Sequence, residues 1–244
     1  MTVNTVTQTL DQSLHTQWSI WLLRLFYFMS AVFVIAVLAF NIFKPIKVLP
    51  RVGLAPGFAF TNQDGISKTS EDFRGKLTIY NFTYSGCADG CPQITPQMQS
   101  LRNALAQSAG QDVKFALVTI SIDPEHDTSA VLKTYATPFL KNQTNKVSWD
   151  FLSGDALRTK YVVGGGFNVY YQNITDQAGQ SSIKFEPRYV LVDGWGIIRA
   201  EYRNADLDLQ LVMRDIGYLE SEIRNSQGPA RYAYEAAHLF RCYP

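Results

Sequence analysis

An α/β domain behind a single N-terminal transmembrane helix is the fold class the sequence predicts, on three observations. An uncharged run fills Leu25 to Phe43, strand-type and helix-type segments alternate from Phe58 to Arg224, and Cys87 and Cys91 bracket a strand-to-helix turn. The 244 residues are 46% hydrophobic and 13% aromatic, ample for one good-sized core. A net charge of +1 without any basic block argues against a nucleic-acid partner. Three cysteines are too few for a disulfide-dense secreted scaffold, and Cys242 reads as a spare thiol.

The first element follows an N-terminal segment, residues 1–24. Leu25 to Phe43 is nineteen residues long without a charge. At about 1.5 Å of rise per residue it nearly crosses a hydrocarbon core of roughly 30 Å. Trp18, Trp21 and Tyr27 crowd one end as an interfacial belt does. The run is too long for a signal-peptide core, has only Arg24 as a basic lead, and lacks a small-x-small cleavage site, so it reads as an uncleaved anchor, 25–43. Lys44, Lys47 and Arg51 follow it, and the positive-inside rule alone would put the large domain in the cytoplasm. A dithiol suits an oxidising compartment, and that argument is weighed more heavily.

Pro45, Pro50 and Pro56 break the next stretch, so 44–57 reads as an extended linker. The domain spans 58–226, ahead of a C-terminal extension, 227–244. Phe58 to Gly65 reads as a strand entering a turn, with a short return to Gly75-Lys76. Then come a strand at Leu77 to Phe82, a helix from Pro92 to Leu105, a strand at Val113 to Ile122 and a helix at Ser129 to Leu140. A strand around Trp149 to Leu152 leads to a helix or turn ending at Gly164-Gly165-Gly166, a run expected to be flexible. Phe167 to Tyr171 is expected to begin a closing hairpin, with Arg188 to Asp193 and Ile197 to Tyr202 finishing it before an amphipathic helix, Leu207 to Arg224. Strand, helix, strand, helix, hairpin and final helix is the order of a thioredoxin-like sheet.

Chemistry concentrates at the run Ser85-Gly86-Cys87-Ala88-Asp89-Gly90-Cys91-Pro92. Two sulfurs there can close a disulfide or grip a soft metal, and the positive end of the following helix favours thiolates. The alternative, two buried cysteines acting as small hydrophobes, fits poorly with a turn built from Gly86, Gly90 and Pro92. No phosphate-binding loop, dinucleotide fingerprint or H-E-x-x-H pair is present, so no nucleotide is expected. Three glycosylation-type triplets, at Asn81, Asn142 and Asn173, are taken as chance matches.

Five segments together resemble the Sco/SenC family of membrane-tethered cytochrome c oxidase assembly factors. Phe60-Thr61-Asn62-Gln63-Asp64-Gly65 with Asp72-Phe73-Arg74-Gly75-Lys76 resembles its entry hairpin, and Cys87-Ala88-Asp89-Gly90-Cys91-Pro92 its copper-binding turn. Ser121-Ile122-Asp123-Pro124-Glu125-His126-Asp127-Thr128 is similar to its S-x-D-P-x-R-D-T segment, with His126 in the arginine's place. Trp149 to Gly154 and Tyr189 to Gly196 resemble its W-x-F-L-T-G element and last hairpin. The resemblance covers roughly Phe58 to Ile223.

One departure stands out. The family's third copper ligand is a histidine, and counting back from Asp193 its place falls on Phe185. No histidine lies between His126 and His238. Soft thiolates suit Cu(I), whereas Cu(II) wants nitrogen or oxygen donors, so Cu(I) is favoured and Cu(II) is not. His126, from the Asp-Pro loop, and His238 or Cys242, from the extension, are the candidates to replace the imidazole. Asp89 either tunes the thiolates or is an ordinary turn residue, and Asp123 either orients its loop or caps a helix.

The resemblance implies a copper chaperone that helps metallate the copper site of a respiratory terminal oxidase through Cys87 and Cys91, rather than an enzyme. Its partners are the membrane and the oxidase subunit carrying that site. It implies a single-pass protein of the cytoplasmic or mitochondrial inner membrane, with the domain in the periplasm or intermembrane space, and the linker raises effective concentration near the partner. Two other readings stand beside it: a metal-free thiol-disulfide oxidoreductase, with Cys87 and Cys91 as attacking and resolving groups, and an accessory subunit without chemistry.

Overall fold

The structure is a computed structural model and describes residues 3–43, 46–87, 94–108, 113–141, 146–175 and 181–240. It divides into two compact units, Met1–Lys47 and Val48–Pro244.

The first unit is one helix, α1, Val3–Phe43. Its segment long and apolar enough to cross a membrane is Ile20–Ala39, which begins N-terminal to the expected 25–43 because Ile20, Trp21, Leu22 and Leu23 outweigh the single charge of Arg24.

The second unit carries β1 (Gly53–Leu54), β2 (Ala59–Asn62), β3 (Ser67–Thr69), β4 (Leu77–Thr83), α2 (Ile94–Ser108), β5 (Phe115–Ser121), α3 (Ser129–Leu140) and β6 (Val147–Ser153). After these follow α4 (Ala156–Thr159), β7 (Tyr171–Thr175), β8 (Ser181–Phe185), β9 (Tyr189–Val192), β10 (Ile197–Tyr202), α5 (Leu209–Arg224) and α6 (Ala230–Phe240). Eight strands form one mixed sheet in the order β1-β10-β9-β4-β5-β6-β2-β3.

Its centre is parallel, β4 with β5 and β5 with β6, joined by crossovers through α2 and α3. Every residue of β4 and β5 is buried, as strands covered on both faces must be. On the other flank β9 runs antiparallel to β4 and β10 to β9. Trp149 stacks on Phe151 within the core, its indole nitrogen satisfied by the Thr119 hydroxyl at 2.9 Å. Helix α3 starts where Thr128 accepts the Val131 amide, and α5 where Asp208 accepts the Leu211 amide. Val212, Ile216 and Leu219 give α5 its buried stripe.

Three features differ from the sequence reading. Phe167 to Tyr171 does not begin the closing hairpin: Tyr171–Thr175 pairs with Ser181–Phe185 in a separate two-stranded ribbon, because β9 already has β4 and β10 as neighbours. The triple glycine does not serve as a flexible joint. It ends a π-helical turn, Lys160–Gly166, and a Cβ on Gly166 would come within 2.4 Å of Pro56.

The stretch 44–57 is not a free tether along its length either. Val48 is buried, β1 pairs with β10, and the Arg199 guanidinium, itself buried, donates to the carbonyls of Leu49 (2.9 Å) and Pro50 (3.1 Å).

Candidate functional site

The site grows from the C-terminal end of β4. After Thr83 the chain turns through Tyr84-Ser85-Gly86-Cys87, and the Cys87 amide donates to the Tyr84 carbonyl at 3.2 Å. Cys87 is partly buried against the core, and its sulfur is in a disulfide. The partner sulfur lies outside the described residues, as do Cys91, Asp89 and Cys242.

Asp127 fixes this turn. It is wholly buried and lies just ahead of α3. Its carboxylate accepts the Ser85 amide at 3.0 Å, the Ser85 hydroxyl in a very short bond, and the Ser121 hydroxyl at 2.5 Å. Ser121 in turn accepts the Asp123 amide at 3.0 Å. A buried carboxylate needs donors of this kind, and the three here come from Ser85, in the loop after β4, and from Ser121, the last residue of the adjacent parallel strand β5. The β5–α3 loop is thereby bonded to the cysteine turn. Sequence reasoning assigned a supporting role to Asp123 and passed over Asp127, Ser85 and Ser121. The signal was the Ser121-to-Thr128 segment itself, in which a second aspartate precedes the true N-cap, Thr128.

Asp123 and His126 pair with each other. The His126 Nδ1 lies 2.8 Å from the Asp123 carboxylate, and the ring is 79% exposed. The hydrogen bond to Asp123, with its charge, raises the imidazole above its ordinary value.

Phe185 stands on the other side of the turn. Its ring meets Tyr84 edge-on with centroids 6.2 Å apart and is buried. The Ile183 amide donates to the Tyr84 hydroxyl oxygen at 3.2 Å, so the β7–β8 ribbon is fastened over the same tyrosine. Beneath it Arg188, also buried, donates to the Phe167 carbonyl at 3.0 Å and pairs with Glu186 at 3.2 Å. Among the described residues no group of three or more His, Cys, Asp and Glu side chains is arranged to hold a metal ion.

His238 belongs elsewhere. Its ring lies 3.1 Å from Glu222 of α5, which receives the Arg199 guanidinium at 2.8 Å, and Arg199 also holds Asp193 at 2.9 Å. Burial pushes the Glu222 carboxyl up, but the hydrogen bonds and charges of Arg199 and His238 outweigh it and hold it low. Burial lowers the His238 imidazole against the pull of Glu222. Asp193 follows Val192, which sits opposite Thr78 at the start of β4. The cysteine turn follows the other end of that strand, on the order of 20 Å away at about 3.3 Å per residue. His238 therefore serves to clasp α6 to α5 and is remote from Cys87.

The SCO1/SenC family model matches residues 50–218 of this chain. A SCO1 protein homolog of Bacillus subtilis is 31% identical over 97 residues, 40% of this chain and 47% of that protein, so the match spans under half the relative's length. The copper-bound ScoI of Bradyrhizobium japonicum has a TM-score of 0.55 and 25% identity, over 68% of this chain and 98% of that one. BsSco, a Sco-family cytochrome c oxidase assembly protein in which a disulfide switch was identified, shares the fold, with a TM-score of 0.58 and 22% identity over 70% of this chain and 97% of that one.

Proposed function

Since the chain belongs to the SCO1/SenC family, whose members act in cytochrome c oxidase copper assembly, we propose that it is a membrane-anchored copper chaperone for a terminal oxidase. Copper is its cargo. The observation that carries the reading is Cys87 on a turn that Asp127 and Tyr84 hold at the end of a buried strand. Helix α1 is read as the anchor, with the domain on the periplasmic or intermembrane-space side of an inner membrane.

The donor set decides which copper is carried. Cys87 offers a soft sulfur, Cys91 is read as the second, and Phe185, read as standing in the place of the family's histidine, offers no donor. Two thiolates suit Cu(I) in a low-coordinate site, and without the imidazole Cu(II) lacks the nitrogen donor it favours. The Cys87 disulfide must first be reduced by an external dithiol, which passes it two electrons and two protons by thiol-disulfide exchange and is itself left as a disulfide. Release to the partner then proceeds by exchange of one soft ligand for another.

A metal-free thiol-disulfide oxidoreductase is the second reading, favoured by the disulfide at Cys87 and by the apolar ring at Phe185. In it one cysteine attacks the partner's disulfide and the other resolves the mixed species.

Metal analysis of the full chain, purified reduced and titrated with Cu(I), separates the two. One tightly held Cu(I) per chain, lost in Cys87→Ser and in Cys91→Ser, is the expected result. Equal copper in the double variant overturns it, and reduction of a partner disulfide without copper binding supports the oxidoreductase.

A further inference from the structure

We propose that the domain rests on the lipid surface through the end of its sheet remote from Cys87, where Trp195, Leu54 and Val52 lie beside a row of lysines. This deepens the proposed function and rests on its membrane-anchored reading, adding which face the lipid touches.

The apolar part is Trp195 with β1. Trp195 is 81% exposed at the tip of the β9–β10 hairpin. That tip is rigid: Asp193 accepts the amides of Trp195 (2.9 Å) and Ile197 (3.0 Å), and the Gly75 amide donates to the Gly194 carbonyl at 2.9 Å. An indole presented on a fixed turn is an amphipathic group of the kind that settles at headgroup level. Leu54 and Val52, 75% and 58% exposed, are two apart on one extended strand and so share a face. Leu54 lies directly opposite Ile197, which brings β1 alongside the hairpin tip.

The charged part is the start of the parallel strands. Leu77, Phe115 and Val147 are in register, so the residues before them, Lys76, Lys114 and Lys146, form one row across β4, β5 and β6. Backbone bonds carry the ladder out to this row, from the Leu77 amide to the Lys114 carbonyl at 2.9 Å and from the Phe115 amide to the Lys146 carbonyl at 3.4 Å. Lys114 and Lys146 are exposed. The Arg74 guanidinium lies against Gly196, where a Cβ would come within 2.1 Å of it. Among the described residues, Glu71, paired to Arg74 at 3.2 Å, and Asp72, whose carbonyl receives the Lys76 ammonium at 2.9 Å, are acidic neighbours. The lysine row leaves an excess of cations, which anionic headgroups complement.

Chain length favours lipid as the occupant. Val48 is buried, and Arg199 holds the carbonyls of Leu49 and Pro50. Only five residue steps separate Phe43, the end of α1, from Val48. Fully extended, five steps reach at most about 18 Å. From Val48 the chain runs directly to Val52, whose amide donates to the Ile198 carbonyl at 2.9 Å beside the hairpin tip. In the membrane-anchored reading that extended length bounds the reach from the end of α1 to Val48.

The test uses the full chain with Trp18→Phe and Trp21→Phe, which leaves buried Trp149 and exposed Trp195. It is reconstituted in vesicles of phosphatidylcholine and phosphatidylglycerol, and subtracting the emission of a chain that also carries Trp195→Phe isolates Trp195. Strong quenching by brominated lipid and little by aqueous iodide is expected, moving toward iodide quenching when Lys76, Lys114 and Lys146 are all changed to Glu. Iodide quenching without bromolipid quenching, in a chain that floats with the vesicles and survives carbonate, overturns this inference alone. A chain that carbonate releases overturns the anchored reading and the inference together. Protection from both quenchers would mean that a second copy of the chain covers the indole, and it overturns the lipid assignment.

Discussion

The buried Asp127 carboxylate accepts both the amide and the hydroxyl of Ser85, two residues before Cys87. The turn that carries Cys87 is therefore held by a residue from the next loop of the sheet.

Asp127→Ala removes the acceptor and leaves the buried Ser121 hydroxyl and the half-buried Ser85 donors without it. A loss of about 2 to 3 kcal/mol is expected, the usual scale for hydrogen bonds to a charged group. Urea unfolding measures it. Hydrogen exchange at Ser85 and Cys87 should accelerate more than at β5, and an unchanged unfolding midpoint would show that the loop carries no share of the stability.

Phe185→His adds an imidazole beside Tyr84, next to the cysteine turn. The wild type is expected to hold Cu(II) poorly, and the variant to gain a Cu(II) site with sulfur-to-copper charge-transfer absorption. Titration of the reduced full chain followed in the visible checks this. A variant that stays colourless would show that residue 185 is not in ligand position.

His126 gives a pH prediction with a definite sign. Its pKa is raised in the fold by the hydrogen bond and charge of Asp123. The protonated pair therefore stabilises the native state fully below the ordinary imidazole value and loses that contribution as pH rises through the raised one. NMR titration should place His126 above an unperturbed histidine and return it toward the ordinary value in Asp123→Asn. His126→Ala should leave Cu(I) stoichiometry unchanged, and a loss of copper there would make the ring a ligand.

Arg199→Ala strands Asp193 and Glu222 without their cation and frees the carbonyls of Leu49 and Pro50. Breaking a buried pair from one side costs about 3 to 5 kcal/mol. Thermal unfolding should fall accordingly, and limited proteolysis should open first near residues 48–55. A variant of wild-type stability would mean that α5 and the linker pack without this guanidinium.

Much of the sheet and its helices was legible. Strands β4 and β5 are rich in strand formers and bounded by turn residues, and α3 spans Ser129–Leu140 as its pattern indicates. The β7–β8 ribbon was not legible. Gln172, Asn173, Ser181, Ser182 and Lys184 reduce its apolar face to Tyr171, Ile183 and Phe185, and its anchor, Tyr84, lies 99 residues before Ile183. The cysteine turn was visible in its residue types. The bonds that hold it were not, because Asp127 before a threonine reads locally as helix-start chemistry and becomes a clamp only when β4 and β5 lie side by side.

The grip of Arg199 on Leu49 and Pro50 shortens the leash. A domain on a long leash sweeps a volume and meets its partner by swinging. Here Leu49 and Pro50 belong to the folded domain and not to the leash, so fewer residues than the whole of 44–57 are left for such a swing.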